Sequence, residues 1–166
     1  MRKGTMIVGV LLAALIPIVA GAAGASEFDR EMEPILAEYL KIQTALAADE
    51  TEGVEGAVRA IEDLAKTLDP GTAHGEHAEH YQNIPEDISV ACGKLHEAKG
   101  IGSIREAFKD LSKPVSMWVT MGEPKDASVM YCPMAKASWV QHGSEVANPY
   151  LGSKMLRCGE KVGGAD

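Results

Sequence analysis

Two cysteines and two methionines near the C-terminus have the residue types and spacing of a soft-metal site. Cys132 and Met134 are separated by Pro133, which stiffens the bend between them. Met155 and Cys158 stand three positions apart, so a helical turn would place both on one face. Thiolate and thioether sulfurs are soft donors that select Cu(I) and related ions over calcium or magnesium. The four side chains therefore predict a copper site.

The same cysteines also allow a purely structural interpretation. A disulfide between Cys132 and Cys158 would close a loop of 27 residues, counting both ends. Such a closure stabilises a fold by roughly 3 to 4 kcal/mol in the chain-entropy model. The third cysteine, Cys92, is expected on the inner face of a helix as a small buried hydrophobe. The residues alone leave the metal site and the disulfide as open alternatives.

The motifs around these residues resemble a known family. They are Cys-Pro-Met at 132–134, Trp139, Asn-Pro-Tyr-x-Gly at 148–152 and Met-Leu-x-Cys-Gly at 155–159. Together they are similar to the domain of unknown function 3347 family, an exported domain also attached to periplasmic adaptor subunits of heavy-metal efflux pumps. The resemblance implies copper or silver handling and an efflux-pump adaptor or other envelope protein as partner. It singles out Cys132, Met134, Met155 and Cys158 as ligands or, for the cysteines, disulfide partners.

Three histidines form a second constellation. His74, His77 and His80 are spaced three apart and interleaved with glutamates. Neighbouring pairs would share a helical face, and imidazole suits Cu(II), Zn(II) and Ni(II). Each step of three rotates by about 60°, so one regular helix does not bring all three to a point. We therefore predict a possible second metal site, with a solvated polar loop as the alternative.

The elements that must position these residues are mainly helical. Apolar residues recur at three- and four-residue steps in four segments, at about 27–48, at 52–68, after Pro85 and at 104–118. Short polar connections between them predict an up-down four-helix bundle over residues 26–121. Residues 122–166 are expected to form a small irregular lobe that carries two of the cysteines. Within it, Val129–Cys132 reads as an extended piece and Leu151–Leu156 as a short helix.

The N-terminus has the pattern of a signal peptide. Arg2 and Lys3 precede an apolar run from Met6 to Val19, and Ala23-Gly24-Ala25 offers a small-residue cleavage site. We therefore expect residues 1–25 to direct export to the periplasm and to be removed, which leaves one domain over 26–166. An uncleaved N-terminal anchor is the alternative, because the apolar run approaches the length of a spanning helix.

Charge and missing motifs narrow the function. The chain carries a formal charge of −8, and removing the two positive residues of the leader makes it −10. Nucleic acid and anionic membrane surfaces would repel such a protein. The glycines are scattered, so the chain has no phosphate-binding or dinucleotide-binding loop, and Cys132 lacks the second cysteine of a Cys-x-x-Cys redox motif. A Cys132–His142 nucleophile and base would lack an orienting group. The sequence therefore favours a binding protein over an enzyme.

Overall fold

The computed structural model describes residues 25–122 and 126–164, and within them the chain is mainly helical with a small sheet at its C-terminal end. The predicted signal peptide, apart from its last residue, lies outside the described residues. No described helix is both long enough and apolar enough to cross a membrane. The elements are α1 (Glu27–Ala47), α2 (Val54–Ala65), α3 (Ile84–Glu97), α4 (Gly100–Gly122), β1 (Ala127–Cys132), β2 (Ala137–His142) and β3 (Glu160–Gly164).

The four predicted helices are confirmed, with differences at their ends. Helix α2 is shorter than predicted at both ends: it begins after Gly53, whose positive φ of 78° turns the chain into the helix, and it ends at Ala65. Helix α4 begins at Gly100 and ends at Gly122, so it extends beyond both ends of the segment predicted at 104–118. Pro34 and Pro114 lie inside α1 and α4.

The helices pack in sequence order, each against the next, around one apolar core. The beginning of α1 is fixed by a capping box, in which Ser26 and Asp29 exchange hydrogen bonds. The other carboxylate oxygen of Asp29 accepts the indole N–H of Trp118 at 2.9 Å. This bond ties the start of α1 to the last turns of α4, so the first and last helices are joined by a specific polar contact.

The C-terminal segment, expected to be irregular, is an antiparallel three-stranded sheet of order β2-β1-β3. The extended piece predicted at 129–132 belongs to β1, which pairs Val129 with Val140 of β2 and ends opposite Ala137. The helix predicted at 151–156 is reduced to a 3-10 turn at Gly152–Lys154. The sequence did not predict a sheet, because neither β1 nor β3 alternates polar and apolar residues. Strand β1 is buried on both faces, and β3 contains two glycines.

A buried tyrosine joins the helices to the outer edge of this sheet. The main-chain N–H of Val140 donates to the Tyr39 hydroxyl at 3.1 Å. The Ser112 hydroxyl donates to the Phe108 carbonyl at 2.9 Å, so it is free to accept from Tyr39, 2.7 Å away. Burial raises the pKa of Tyr39, which keeps this donor protonated. The hydroxyl thus gives one buried N–H on the edge of β2 a hydrogen-bond partner.

We expect Tyr39→Phe to lower the free energy of unfolding by about 1 to 3 kcal/mol, because the buried Val140 N–H would lose its acceptor. Urea titration followed by circular dichroism measures this change. Tyr131→Phe is the matched control, because Tyr131 is half-buried and its hydroxyl has no hydrogen bond to any described residue. Equal losses in the two variants would contradict the role given to Tyr39.

Candidate metal centre

The fold brings Cys132 and Cys158 together from positions 26 residues apart in the chain. Cys132 is the last residue of β1, and Cys158 lies two residues before β3. Since β3 runs antiparallel to β1 with Tyr131 opposite Glu160, the two cysteines meet just beyond the paired residues. Their sulfurs are 2.9 Å apart and both are free thiols. Cys132 is buried and Cys158 half-buried, so this thiol pair is reachable from one side.

The distance between the two sulfurs lies between that of a disulfide and that of two thiolates on one metal ion. A disulfide requires about 2.05 Å between the sulfurs. Two thiolates on one tetrahedral metal, with metal–sulfur bonds of about 2.3 Å, are roughly 3.8 Å apart. The 2.9 Å separation differs from each of these distances by about 0.9 Å. The geometry therefore suits both a metal–thiolate centre and a disulfide.

The surroundings shift the pKa values of the two thiols in opposite directions. Burial acts to raise the pKa of Cys132, but hydrogen bonds from the Cys158 thiol, from the N–H groups of Ala135 and Met134, and from Asn148 outweigh it and lower that pKa. The pKa of Cys158 is raised, first by its hydrogen bond to Cys132 and then by burial and the neighbouring negative charge. Within the pair, Cys132 therefore loses its proton more readily than Cys158 does, and the Cys158 thiol is the donor of the hydrogen bond between them.

Asn148 fixes the position of Cys158. Its side-chain amide donates to the Cys158 carbonyl at 2.6 Å. Its side-chain oxygen accepts the N–H groups of Tyr150 and Leu151 at 2.8 and 3.0 Å. The residue is fully buried, so these bonds leave it little freedom. The asparagine of the Asn-Pro-Tyr-x-Gly motif thus acts as a clamp between that loop and the second cysteine.

The residue after Cys158 must be glycine. Gly159 has a φ of +145°, which disfavours any side chain. A Cβ there would lie 2.6 Å from the ring of Trp139. Trp139 is itself held by a hydrogen bond to Gln141 of 2.9 Å and by edge-on contact with Tyr150. The Trp and the Cys-Gly of the C-terminal motifs are therefore one packing unit.

The loop at 148–152 is anchored to the helices by an arginine that sequence reasoning did not identify as a site residue. Arg105 of α4 donates to the Pro149 carbonyl at 2.8 Å and to both the Leu46 carbonyl and the Asp49 carboxylate at 2.6 Å. A Cβ on Gly152 would overlap Asp49 and Arg105, which explains the glycine that ends the motif. That glycine was the one sequence signal of a close approach here.

The predicted thioether ligands occupy the two loops that carry the cysteines. The side chains of Met134 and Met155 are 67% and 44% exposed, so both lie in solvent and outside the packed core. The turn that carries Met134 lies against the thiol pair, because the next residue, Ala135, donates its N–H to the Cys132 sulfur at 3.4 Å. The structure thus assembles the two thiols and leaves the two thioethers at the surface beside them in the chain.

The histidines are less closely grouped. The rings of His77 and His80 have centroids 6.1 Å apart, and His74 and His80 are exposed. In the described parts of the chain, no group of three or more His, Cys, Asp or Glu side chains is arranged to hold a metal ion. The second metal site remains a prediction. Cys92 is fully buried on α3, as expected, and burial together with Glu62 raises its pKa to about 12.

The Asp49–Arg105 anchor predicts a specific acid sensitivity. Hydrogen bonds from Ser153 and Arg105 lower the pKa of Asp49 to about 2. Because the folded pKa lies below the unfolded value of about 3.9, the stabilisation is complete above pH 4 and is lost as the pH falls toward 2. We expect Asp49→Asn, which tolerates the positive φ of this position, to lose less stability than the wild type over that interval. Urea midpoints measured at a series of pH values test this, and identical slopes would contradict it.

A family model matches residues 35–126 and carries the description "Protein of unknown function (DUF3347)". The match covers more than half of the chain and lies on the helices, whereas the resemblance noted in the sequence lay mainly on the motifs at 131–159. Neither the curated proteins nor the solved structures contain a match to the chain. On the strength of the family match, this chain belongs to the domain of unknown function 3347 family.

Proposed function

We propose that this protein binds a soft metal ion, with Cu(I) as the best fit, through the thiolates of Cys132 and Cys158. The observation that carries the proposal is the 2.9 Å approach of two unlinked thiols at a partly accessible surface. Hydrogen bonds position both cysteines: Asn148 donates to the Cys158 carbonyl, and the turn after Cys132 donates an N–H to the Cys132 sulfur. A pair fixed in this way loses little freedom when it binds an ion.

The donor set explains the preference for a soft ion. Among the described residues, no third Cys, His, Asp or Glu joins the pair to make the closed four-ligand site that structural zinc requires. Calcium and magnesium need oxygen ligands, which the pair does not offer. Met134 and Met155 lie on the adjoining loops, and unbranched thioethers reorient easily. We propose them as the further ligands, so that the ion is held by sulfur alone.

The proposal extends to the cellular setting. Residues 1–25 would direct the chain to the periplasm, where a protein of this kind stores copper or passes it to an efflux-pump adaptor or another envelope protein. The helices would serve as a rigid up-down bundle that supports the metal-bearing sheet. The sequential packing of α1 to α4 supports that topology. The protein would thus act by binding and not by catalysis.

The same thiol pair favours a second candidate, a disulfide-stapled interaction module of the envelope that binds no metal. The sulfurs need to approach by only about 0.9 Å to reach bonding distance. The lowered pKa of Cys132 also favours the thiolate that disulfide exchange requires. In an oxidising compartment, two cysteines in this arrangement would be expected to pair.

A Cu(I) titration of the reduced protein against a chromophoric chelator tests the metal proposal. We expect one equivalent to be withdrawn from the chelator by the wild type. The double variant Cys132→Ser/Cys158→Ser should lose this competition while its circular dichroism stays helical. Cys92→Ser is the matched control and should bind as the wild type does, because Cys92 lies in the core away from the pair. Tight binding retained by the double variant would refute the assignment.

A thiol count separates the two candidates. The protein is isolated without reductant or added metal, unfolded in guanidinium with a chelator present, and reacted with a thiol reagent. Three free thiols support the metal centre. One free thiol, mapped to Cys92 by mass spectrometry, supports the stapled module.

A further inference from the structure

A groove of about 990 Å³ lies between α4 and the hairpin formed by β1 and β2. Six of its eleven lining residues are charged, and Ala107, Tyr131 and Ala137 are among the uncharged ones. Four lysines border it, one from α3, two from α4 and one from the hairpin turn: Lys94, Lys109, Lys113 and Lys136. We call this feature the lysine groove.

The lysine groove is positive on a protein that is otherwise acidic. Its four lysines face two carboxylates, Glu106 and Asp110, so its formal charge is +2 while the whole chain carries −8. Asp110 is shared by Lys94 and Lys113, each at 2.6 Å. Lys136 has no ion pair with any described residue. Lys109 pairs with Glu106 at 2.8 Å, so three of the four lysines contact groove carboxylates and a net charge of +2 remains.

The exposure of these lysines indicates the kind of anion they suit. The side chains of Lys94 and Lys113 are 54% and 75% exposed, so their ammonium groups remain open to solvent although both contact Asp110. A small anion would gain little from any one of them, because exposed ion pairs contribute weakly. A chain of carboxylates that spans the groove meets several lysines together, and its charge is complementary to that of the groove. An extended acidic segment fits this geometry best.

We propose that the lysine groove docks an acidic segment of a partner protein. The docked segment would lie beside the thiol pair, because the hairpin turn that carries Lys136 also carries Ala135, whose N–H donates to the Cys132 sulfur at 3.4 Å. The opposite wall is the face of α4 that carries Lys109, whose ammonium group lies 5.9 Å from the centre of the Tyr150 ring. Docking depends on the lysines and not on a bound metal.

Fluorescence anisotropy with a labelled octaglutamate peptide tests the docking surface on the reduced, metal-free protein. We expect saturable binding that weakens as salt is added. The variant Lys94→Glu/Lys113→Glu/Lys136→Glu should bind at least about ten-fold more weakly. The matched control, Lys41→Glu/Lys66→Glu/Lys154→Glu, changes the same total charge at exposed lysines outside the groove and should bind within about two-fold of the wild type. Circular dichroism verifies that both variants fold, and the corresponding Lys→Gln sets replace any that do not.

Three results would overturn the proposal. The first is the absence of saturable peptide binding at low salt. The second is an equal loss in the groove and control variants, which would reduce the effect to net charge. The third is complete displacement of the peptide by citrate at an equal concentration of carboxylate groups, which would assign the groove to small polycarboxylates. Because no metal is present, failure here is separate from failure of the copper proposal.

Discussion

The contact between the Tyr39 hydroxyl and the edge of β2 is the interaction on which the rest of the structure depends. It is the point where a helical core and a small sheet share a buried hydrogen-bond network. Once β2 is fixed on α1 and α4, its antiparallel pairing positions β1, and the end of β1 presents Cys132. A three-stranded sheet of this size has little stability of its own, so it needs such a support.

A second set of contacts, made by Arg105, Asp49 and Asn148, positions Cys158. Arg105 and Asp49 fix the loop at 148–152 to the C-terminal end of α1 and the start of α4. Asn148 in that loop donates a hydrogen bond to the Cys158 carbonyl, which fixes the second cysteine. The arginine satisfies three oxygens from two distant segments, at 46–49 and at Pro149, which suits its rigid fork of donors. The thiol pair is therefore held from both sides by the helical part of the molecule, the part to which the family match applies. This link between helices and cysteines gives the family resemblance a physical basis.

Much of the fold could be predicted from the sequence, because helices that bury one face leave a clear period of apolar residues. Apart from the extended piece at 129–132, the sheet could not, since β1 is buried on both faces except at Tyr131, and β3 is short, charged and glycine-containing. For the site, cysteine chemistry pointed to Cys132 and Cys158, and the structure brings them into contact. Sequence could not show the anchoring role of Arg105, because its partners are two main-chain carbonyls and an aspartate distant in the chain. Nor could it show that Met134 and Met155 would be solvent-exposed.

The central claim is that a soft ion is bound only by sulfur atoms, those of Cys132 and Cys158 together with those of Met134 and Met155. X-ray absorption at the copper edge of the Cu(I)-loaded protein addresses this claim directly, because it identifies the atoms bonded to the metal. The account predicts a shell of sulfur alone, which is lost when Cys132 and Cys158 are both replaced by serine. A shell of nitrogen or oxygen, or a sulfur shell that survives the double replacement, would contradict it.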